Sequence, residues 1–332
     1  MQIKQSKLSK YYLKVVKIAL FVLIVQSCFG QQSFWERADT LNKKRQLWMG
    51  TSLGLVYTGT LVSLNEIWYA QYPRSSFHLF NDWKEWLQYD KVGHAYTAYF
   101  ETDWLYNAAR WSGMNRNNSL WVAGVGGSLF QFTLEVMDGF SEQWGFSVGD
   151  FGFNTLGVGL FVGQELAWKE QRLYLKVSSY PKTYPNVVVT SDDNSATMLL
   201  SDRAKQLYGS SFPERFLKDY NAQTTWLSVN VAAFTTQKPN WLPNWMNVAV
   251  GYGAENMYGG LENAWTKNNL RYHYPAKSYR QFFLSLDVDF TKVRTKSKFV
   301  NVLLHLLNSV KIPSPTLEYN TLGKLKFHYI YF

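Results

Sequence analysis

The sequence predicts an α+β chain, an N-terminal apolar helical bundle followed by a smaller antiparallel β-rich module. Two observations carry this expectation. Up to about residue 170 the apolar residues recur at helical spacing among many Gly and Trp residues, and after about residue 222 the period switches to two. A third observation bounds it: Cys28 is the single cysteine, so no internal disulfide is available and stability rests on packing.

The first thirty residues read as a secretory signal peptide. Lys4, Lys7, Lys10, Lys14 and Lys17 precede any acid, and an apolar stretch from Ile18 to Val25 follows, too short to span a membrane. Two processing routes fit. Val25-Gln26-Ser27-Cys28 is a loose lipobox in which Cys28 becomes the lipidated first residue, and cleavage after Gly30 fits as well. Removing the leader takes five lysines with it and halves the formal charge of +10. That argues against a nucleic-acid partner. The 14 Trp, 22 Tyr and 22 Phe suit surfaces that are wet on one side and apolar on the other.

Residues 31–169 read as the helical module. Leu47 to Leu64 is largely apolar, and Phe77 to Tyr89 is a short amphipathic segment. Helices are expected over Asp90 to Trp111, Ser119 to Asp138 and Val148 to Trp168, separated by Ser112-Gly113 and Asn115 to Asn118. Residues 170–222, with Pro181, Pro185 and Pro213, read as an irregular connector with one helix near Ser201 to Tyr208. Residues 223–332 read as the antiparallel α+β module. Strands are expected from Trp226, from Met246 to Tyr252, from Phe282 to Phe290 and from Lys324 to Phe332. Phe299, Leu303, Leu306, Leu307 and Val310 form an amphipathic helix between the last two. The strand around Leu284, Leu286 and Val288 opposes Ser285, Asp287 and Asp289, as a half-buried strand does. Leu325, Phe327, Tyr329 and Tyr331 share a face of the last one. Four or five such strands fall short of the eight that the smallest membrane barrels need. A small sheet packed on helices is expected.

Each helix of the first module carries a narrow polar line. Asp90, His94, Thr97 and Glu101 fall on one face; Gln131, Glu135 and Asp138 do so on the next helix, and Asp150, Asn154 and Gly157 on the third. Carboxylates among apolar side chains are costly unless paired, so the three lines are expected to face each other. Several of these residues also have plain structural readings: Asp90 as a helix N-cap, Ser147-x-x-Asp150 as a capping arrangement, and the whole set as a buried network that fixes one arrangement of helices. The chemical reading makes His94, Asp90 and Asp150 catalytic or metal-ligating groups of an acid/base- or metal-dependent enzyme. No His-Glu-x-x-His or Gly-x-Ser-x-Gly element supports it, and no cofactor is indicated.

Asp90-Lys91-x-x-His94, Glu135-x-x-Asp138-Gly139 and Ser147-x-x-Asp150-x-x-x-Asn154-x-x-Gly157 resemble the YfiM-like family of envelope lipoproteins, and the VanZ-like membrane family shares the same start and finish. The resemblance covers about residues 85–168. It implies an envelope location and compact apolar helices with a polar centre, and names no reaction. The VanZ likeness points, by motif analogy alone, to cell-wall lipid chemistry. The leading expectation is a non-catalytic protein on the periplasmic side of the envelope, at the outer rather than the inner membrane, engaging lipid or an envelope component. The alternative is an enzyme acting on an envelope lipid or glycan. Lys91, Glu101, Glu135, Asp138 and Asn154 complete the candidate polar cluster.

Overall fold

A computed structural model describes residues 33–70 and 72–332. The leader and Cys28 lie outside them. Helix α1 (Lys43–Leu64) starts where the Asn42 side chain accepts from the Arg45 N–H, and it runs on into a π-helical turn, Asn65–Tyr69. Helices α2 (Tyr89–Trp111), α3 (Arg116–Gly139) and α4 (Val148–Trp168) follow. Asn115 and Ser147 cap the last two from their side chains.

Phe77 to Tyr89, expected as a short amphipathic segment, is largely irregular. Residues 72–82 instead pair with residues 141–146: Phe80 N–H donates to the Phe146 carbonyl at 3.0 Å, and Phe146 N–H donates to His78 at 2.9 Å. Trp86, Leu87 and Gln88 are then all left-handed, with φ of 49°, 53° and 62°. Each such residue costs about 1–2 kcal/mol. The turn is held from the β-rich half. Trp86 N–H donates to the Gly260 carbonyl at 2.6 Å, Arg280 donates to the Gln88 side chain at 2.6 Å, and the Tyr252 hydroxyl donates to the Leu87 carbonyl. This turn delivers the start of α2 onto the β-rich half.

Residues 170–222 are more regular than expected. They hold β1 (Leu173–Ser179), β2 (Val188–Thr190), β3 (Thr197–Leu199), α5 (Leu200–Tyr208) and α6 (Phe212–Lys218). β4 (Gln223–Asn230), β5 (Met246–Glu255), β6 (Ala264–Lys267), β7 (Leu270–His273), β8 (Tyr279–Val288), α7 (Lys298–Leu307), β9 (Ser314–Asn320) and β10 (Leu325–Tyr331) complete the chain. The fold is α+β, helices first and strands after. β1 is drawn out of the connector to open an antiparallel six-stranded sheet in the order β1-β4-β5-β8-β9-β10. β2–β3 and β6–β7 are hairpins, and Val189, Met198, Leu200, Tyr208, Trp265 and Tyr272 form a separate small core around them. The sheet curls: Tyr331 on β10 packs on Phe283 of β8 and, two strands further over, on Trp226 of β4, with ring centroids 4.6 and 6.1 Å away.

The buried face of this sheet is its polar face. On β8 Ser285 and Asp287 are 5% and 2% exposed, whereas Leu284 and Leu286 are each 51% exposed. The strand is half-buried as expected, but with its polar side inward. A register shift after His328 moves Tyr331 off the face of Leu325 and Phe327, so the four residues expected on one side divide between two. Inside, the fully buried Lys176 Nζ lies 2.7 Å from Asp287 Oδ2 and donates to the Val288 carbonyl. Trp226 donates from its ring N–H to Ser178 at 2.9 Å, and it lies over Gly251, where a Cβ would come within 2.7 Å of the ring.

α2 is the central element, packed between α3 and α4 and against β1, β4 and β5. Its approach to α4 depends on Gly157: a Cβ there would sit 2.2 Å from the Ala95 carbonyl oxygen. Backbone cannot yield as a side-chain tip can, so Gly157→Ala must push the two helices apart. A loss of about 3 kcal/mol is expected. Denaturant unfolding checks it, with Gly159→Ala, where nothing lies within 4 Å, as the neutral comparison.

Candidate functional site

The centre of the helical half is an ammonium group among aspartates. Lys91, only 1% exposed, places Nζ 2.6 Å from Asp82 Oδ2, 2.7 Å from Asp150 Oδ1 and 3.4 Å from Asp90 Oδ2. Its stem passes Gly149, where an added Cβ would come within 3.1 Å of it. Asp90 lies in the first turn of α2 and is not its N-cap, a position held by Gln88. Ser147 has two tasks. It caps α4 by accepting from Asp150 N–H at 3.0 Å, and it donates its own hydroxyl to Asp82 Oδ1 at 2.7 Å.

His94 stands one helical turn further along α2. Its Nε2 is 3.7 Å from Asp150 and 3.9 Å from Asp90, while Nδ1 is 3.5 Å from Glu135 and 3.1 Å from Asn154 Oδ1. Asn154 passes the contact on, donating to Glu135 at 3.1 Å. The polar lines of α2, α3 and α4 therefore do meet, at Asp90, Lys91, His94, Glu135, Asp150 and Asn154. Two expected members stand apart in pairs of their own. Glu101 accepts from Gln131 at 2.8 Å, and Asp138 accepts from the Tyr69 hydroxyl at 2.8 Å. Thr97 bonds back to the Gly93 carbonyl of its own helix.

Two members escaped the sequence reading. Asp82 sits in an irregular loop with no periodicity to mark it. Tyr220 comes from the connector and donates to Asp90 Oδ1 at 2.9 Å. An acid just ahead of the first polar line was the only available signal for Asp82, and Tyr220 had none.

The electrostatics follow from burial and crowding. Burial pushes the His94 imidazole down, but Asp90, Asp150 and Glu135 outweigh it and hold the pKa at about 9. Burial likewise works against charge on Lys91, and Asp90 and Asp150 hold it above its ordinary value. Burial pushes Asp150 up to about 8 against the pull of His94. Asp82 is also penalised by burial, yet hydrogen bonds from Asp150, Lys91 and Ser147 hold it below the usual carboxylate range. Glu101, away from this centre, is pushed to about 8 by burial.

This arrangement restricts the chemistry. Ligand atoms of Asp90, His94 and Asp150 lie within 4.8 Å of one another, close enough for one cation. The Lys91 ammonium already fills that role at 2.7 Å from Asp150, so a divalent ion there would face a fixed positive charge. A general base must be free of its proton, and the carboxylates around His94 favour its protonated form.

Removing the Lys91 charge leaves Asp82 and Asp90 without it and Asp150 without its 2.7 Å contact. Lys91→Met is expected to cost about 3–5 kcal/mol, measured by denaturant unfolding. His94 binds its proton more tightly folded than unfolded, so its contribution is complete below about pH 6.5 and lost as pH rises through about 9. Asp150, also raised, adds to the loss in the same direction through about 8. Wild type should lose on the order of 3–5 kcal/mol from pH 6.5 to 9.5. His94→Gln should flatten most of that slope, and an unchanged slope would contradict the assignment.

The model of a protein family described as predicted periplasmic lipoprotein (DUF2279) matches residues 79–163. The stretch is about a quarter of the chain. It holds Asp82, Asp90, Lys91, His94, Glu135, Asp150 and Asn154, and leaves out Tyr220 and the sheet. No curated protein and no solved structure matches the chain. Over its polar centre the chain is similar to an uncharacterised family of envelope lipoproteins, which supports a periplasmic location and specifies no activity.

Proposed function

We propose that this chain is a non-catalytic, membrane-associated envelope protein. Its polar centre fixes the helices, and its apolar outer faces engage lipid on the periplasmic side of the outer membrane. One observation carries the reading. Leu227, Val250, Leu284, Leu317 and Phe327 are direct cross-strand partners in successive strands and form a continuous apolar row on the exposed face of the sheet. The row behind it on the buried face runs Ser228, Ala249, Ser285, Thr316 and His328. A sheet folded for water turns its apolar side to the core, whereas a lipid-facing antiparallel sheet does the reverse.

The helices support the same reading. α3 exposes Trp121, Val125, Leu129 and Phe132 along one stripe, and its inner face holds Gln131 and Glu135. α1 and α3 are long and apolar enough to cross a membrane by length and composition. We read them as embedded along the lipid surface and not as spanning, because the inner face of α3 is bonded to α2 and α4. Soluble monomers rarely expose apolar patches beyond a few hundred Å². An antiparallel sheet with its apolar side outward belongs to the outer membrane more than to the inner.

The test is flotation with zwitterionic phosphatidylcholine vesicles, using the mature chain with Cys28→Ser so that no acyl chain contributes. The parent should float. Leu284→Lys with Leu317→Lys, paired in the middle of the exposed row, should weaken binding by at least about tenfold, since lysine on a lipid-facing strand costs up to about 2–4 kcal/mol. A parent that stays in the aqueous fraction as a stable monomer would sink the reading, as would a double variant that floats equally well.

A further inference from the structure

We infer that the cleft between residues 290–295 and α7 takes the phosphate of an anionic phospholipid headgroup. This rests on the membrane-associated reading and adds a specific lipid contact to it. The cleft has a volume of about 330 Å³ and is lined by Thr291, Arg294, Thr295, Lys298, Asn301 and His305.

Its polar groups divide into a fixed frame and free donors. Thr291 donates to Asp289 at 2.6 Å, and Asn301 accepts from both the N–H and the hydroxyl of Thr295, so these residues shape the loop. His305 is 2.9 Å from Asp103 and is held up by it. Lys298 shares Glu36 at 2.8 Å on the rim, and Lys292 lies 3.0 Å from Glu170. Arg294 lines the cleft and Lys296 follows two residues on. Both are exposed, and among the described residues neither is ion-paired. A guanidinium with uncommitted donors matches phosphate geometry.

Two further observations turn this cleft toward lipid. α7 leaves Phe299, Leu303 and Leu307 exposed along one stripe, while His305 and Asn308 are bonded on the inner side. A helix lying on a bilayer by that stripe places the basic residues at its N-terminal end at headgroup depth. The chain also arrives here from its leader. Trp35 packs its ring on Phe299 at 4.8 Å and Glu36 pairs with Lys298. Ser33 is only five residues beyond Cys28, a reach of about 18 Å at full extension. An acyl group on Cys28 would therefore enter the bilayer close to α7.

The experiment uses the mature chain with Cys28→Ser and compares vesicles of phosphatidylcholine alone with vesicles containing 30% phosphatidylglycerol. Each basic residue near such a surface contributes about fivefold. Wild type should bind the anionic vesicles at least about tenfold more tightly. Arg294→Glu with Lys296→Glu should lose that preference, keep its neutral-vesicle binding and melt unchanged. Lys84→Glu with Lys277→Glu, equal in charge and placed elsewhere, should keep the preference. Equal binding of both vesicles by wild type overturns the headgroup site and leaves the membrane-associated reading standing, whereas binding to neither overturns both. A preference that survives in the Arg294 variant, or is lost in the control pair, overturns the site. Inorganic phosphate supplies the same chemistry without lipid: if micromolar phosphate saturates the cleft and abolishes the preference, the lipid assignment fails.

Discussion

The structure depends on one buried ammonium. Lys91 Nζ gathers Asp82 from a loop, Asp90 from its own helix and Asp150 from α4, all within 3.4 Å. Taking these charges out of water is expensive, and their mutual attraction offsets the cost only when the geometry is complete. Completion comes from several directions: Ser147 bonds to Asp82, Tyr220 to Asp90, and His94 adds a second positive charge beside Asp150. The left-handed turn at residues 86–88 belongs to the same constraint. It sets the angle at which α2 enters, and Gly260, Tyr252 and Arg280 of the β-rich half, which hold the turn, therefore also hold Lys91 in place. The helical and β-rich halves are coupled through that entry.

The polarity of the sheet follows the same logic in a second place. Lys176 and Asp287 are both fully buried and 2.7 Å apart, and Lys311 Nζ lies 2.7 Å from the Ser314 hydroxyl and 4.5 Å over the Trp226 ring. A sheet that fills its interior with ion pairs and hydroxyls cannot also bury its leucines there. The apolar side chains of β5, β8, β9 and β10 are left outside, where water would penalise them and lipid would not.

Much of the helical half was legible in the sequence, because a polar residue recurring every three or four positions in an apolar run marks one face of a helix. Val148–Trp168 begins and ends where the spacing placed it, and Asp90, His94, Glu135, Asp150 and Asn154 do converge. Glu101 and Asp138 share the same lines yet lie too far along their helices to join. Periodicity gives a face and not a depth. Asp82 and Tyr220 were hidden because their placement is tertiary: one loop is tied to residues 141–146, and the other arrives from a segment with no regular pattern. The alternation of β8 was visible, but alternation alone does not say which side meets water. That choice was set by partners scattered over β1, β4 and β9. β1 itself was missed because a strand of seven residues, Leu173–Ser179, followed by prolines reads as part of a loop.

The two arrangements are consistent only together. In water, exposed carboxylates need no partner, and a lone Lys91 or Lys176 would gain little from burial. Against lipid there is no aqueous outlet, and each ionisable group must find its counter-charge inside the protein or lose its charge. Among the described residues Lys91 and Lys176 are paired in the interior, while Leu284, Leu317, Phe327 and Trp121 lie exposed. An apolar exterior makes a self-contained set of internal charges the least costly way to fix helix against helix, and Lys91, Asp82, Asp90 and Asp150 supply that set without drawing on water.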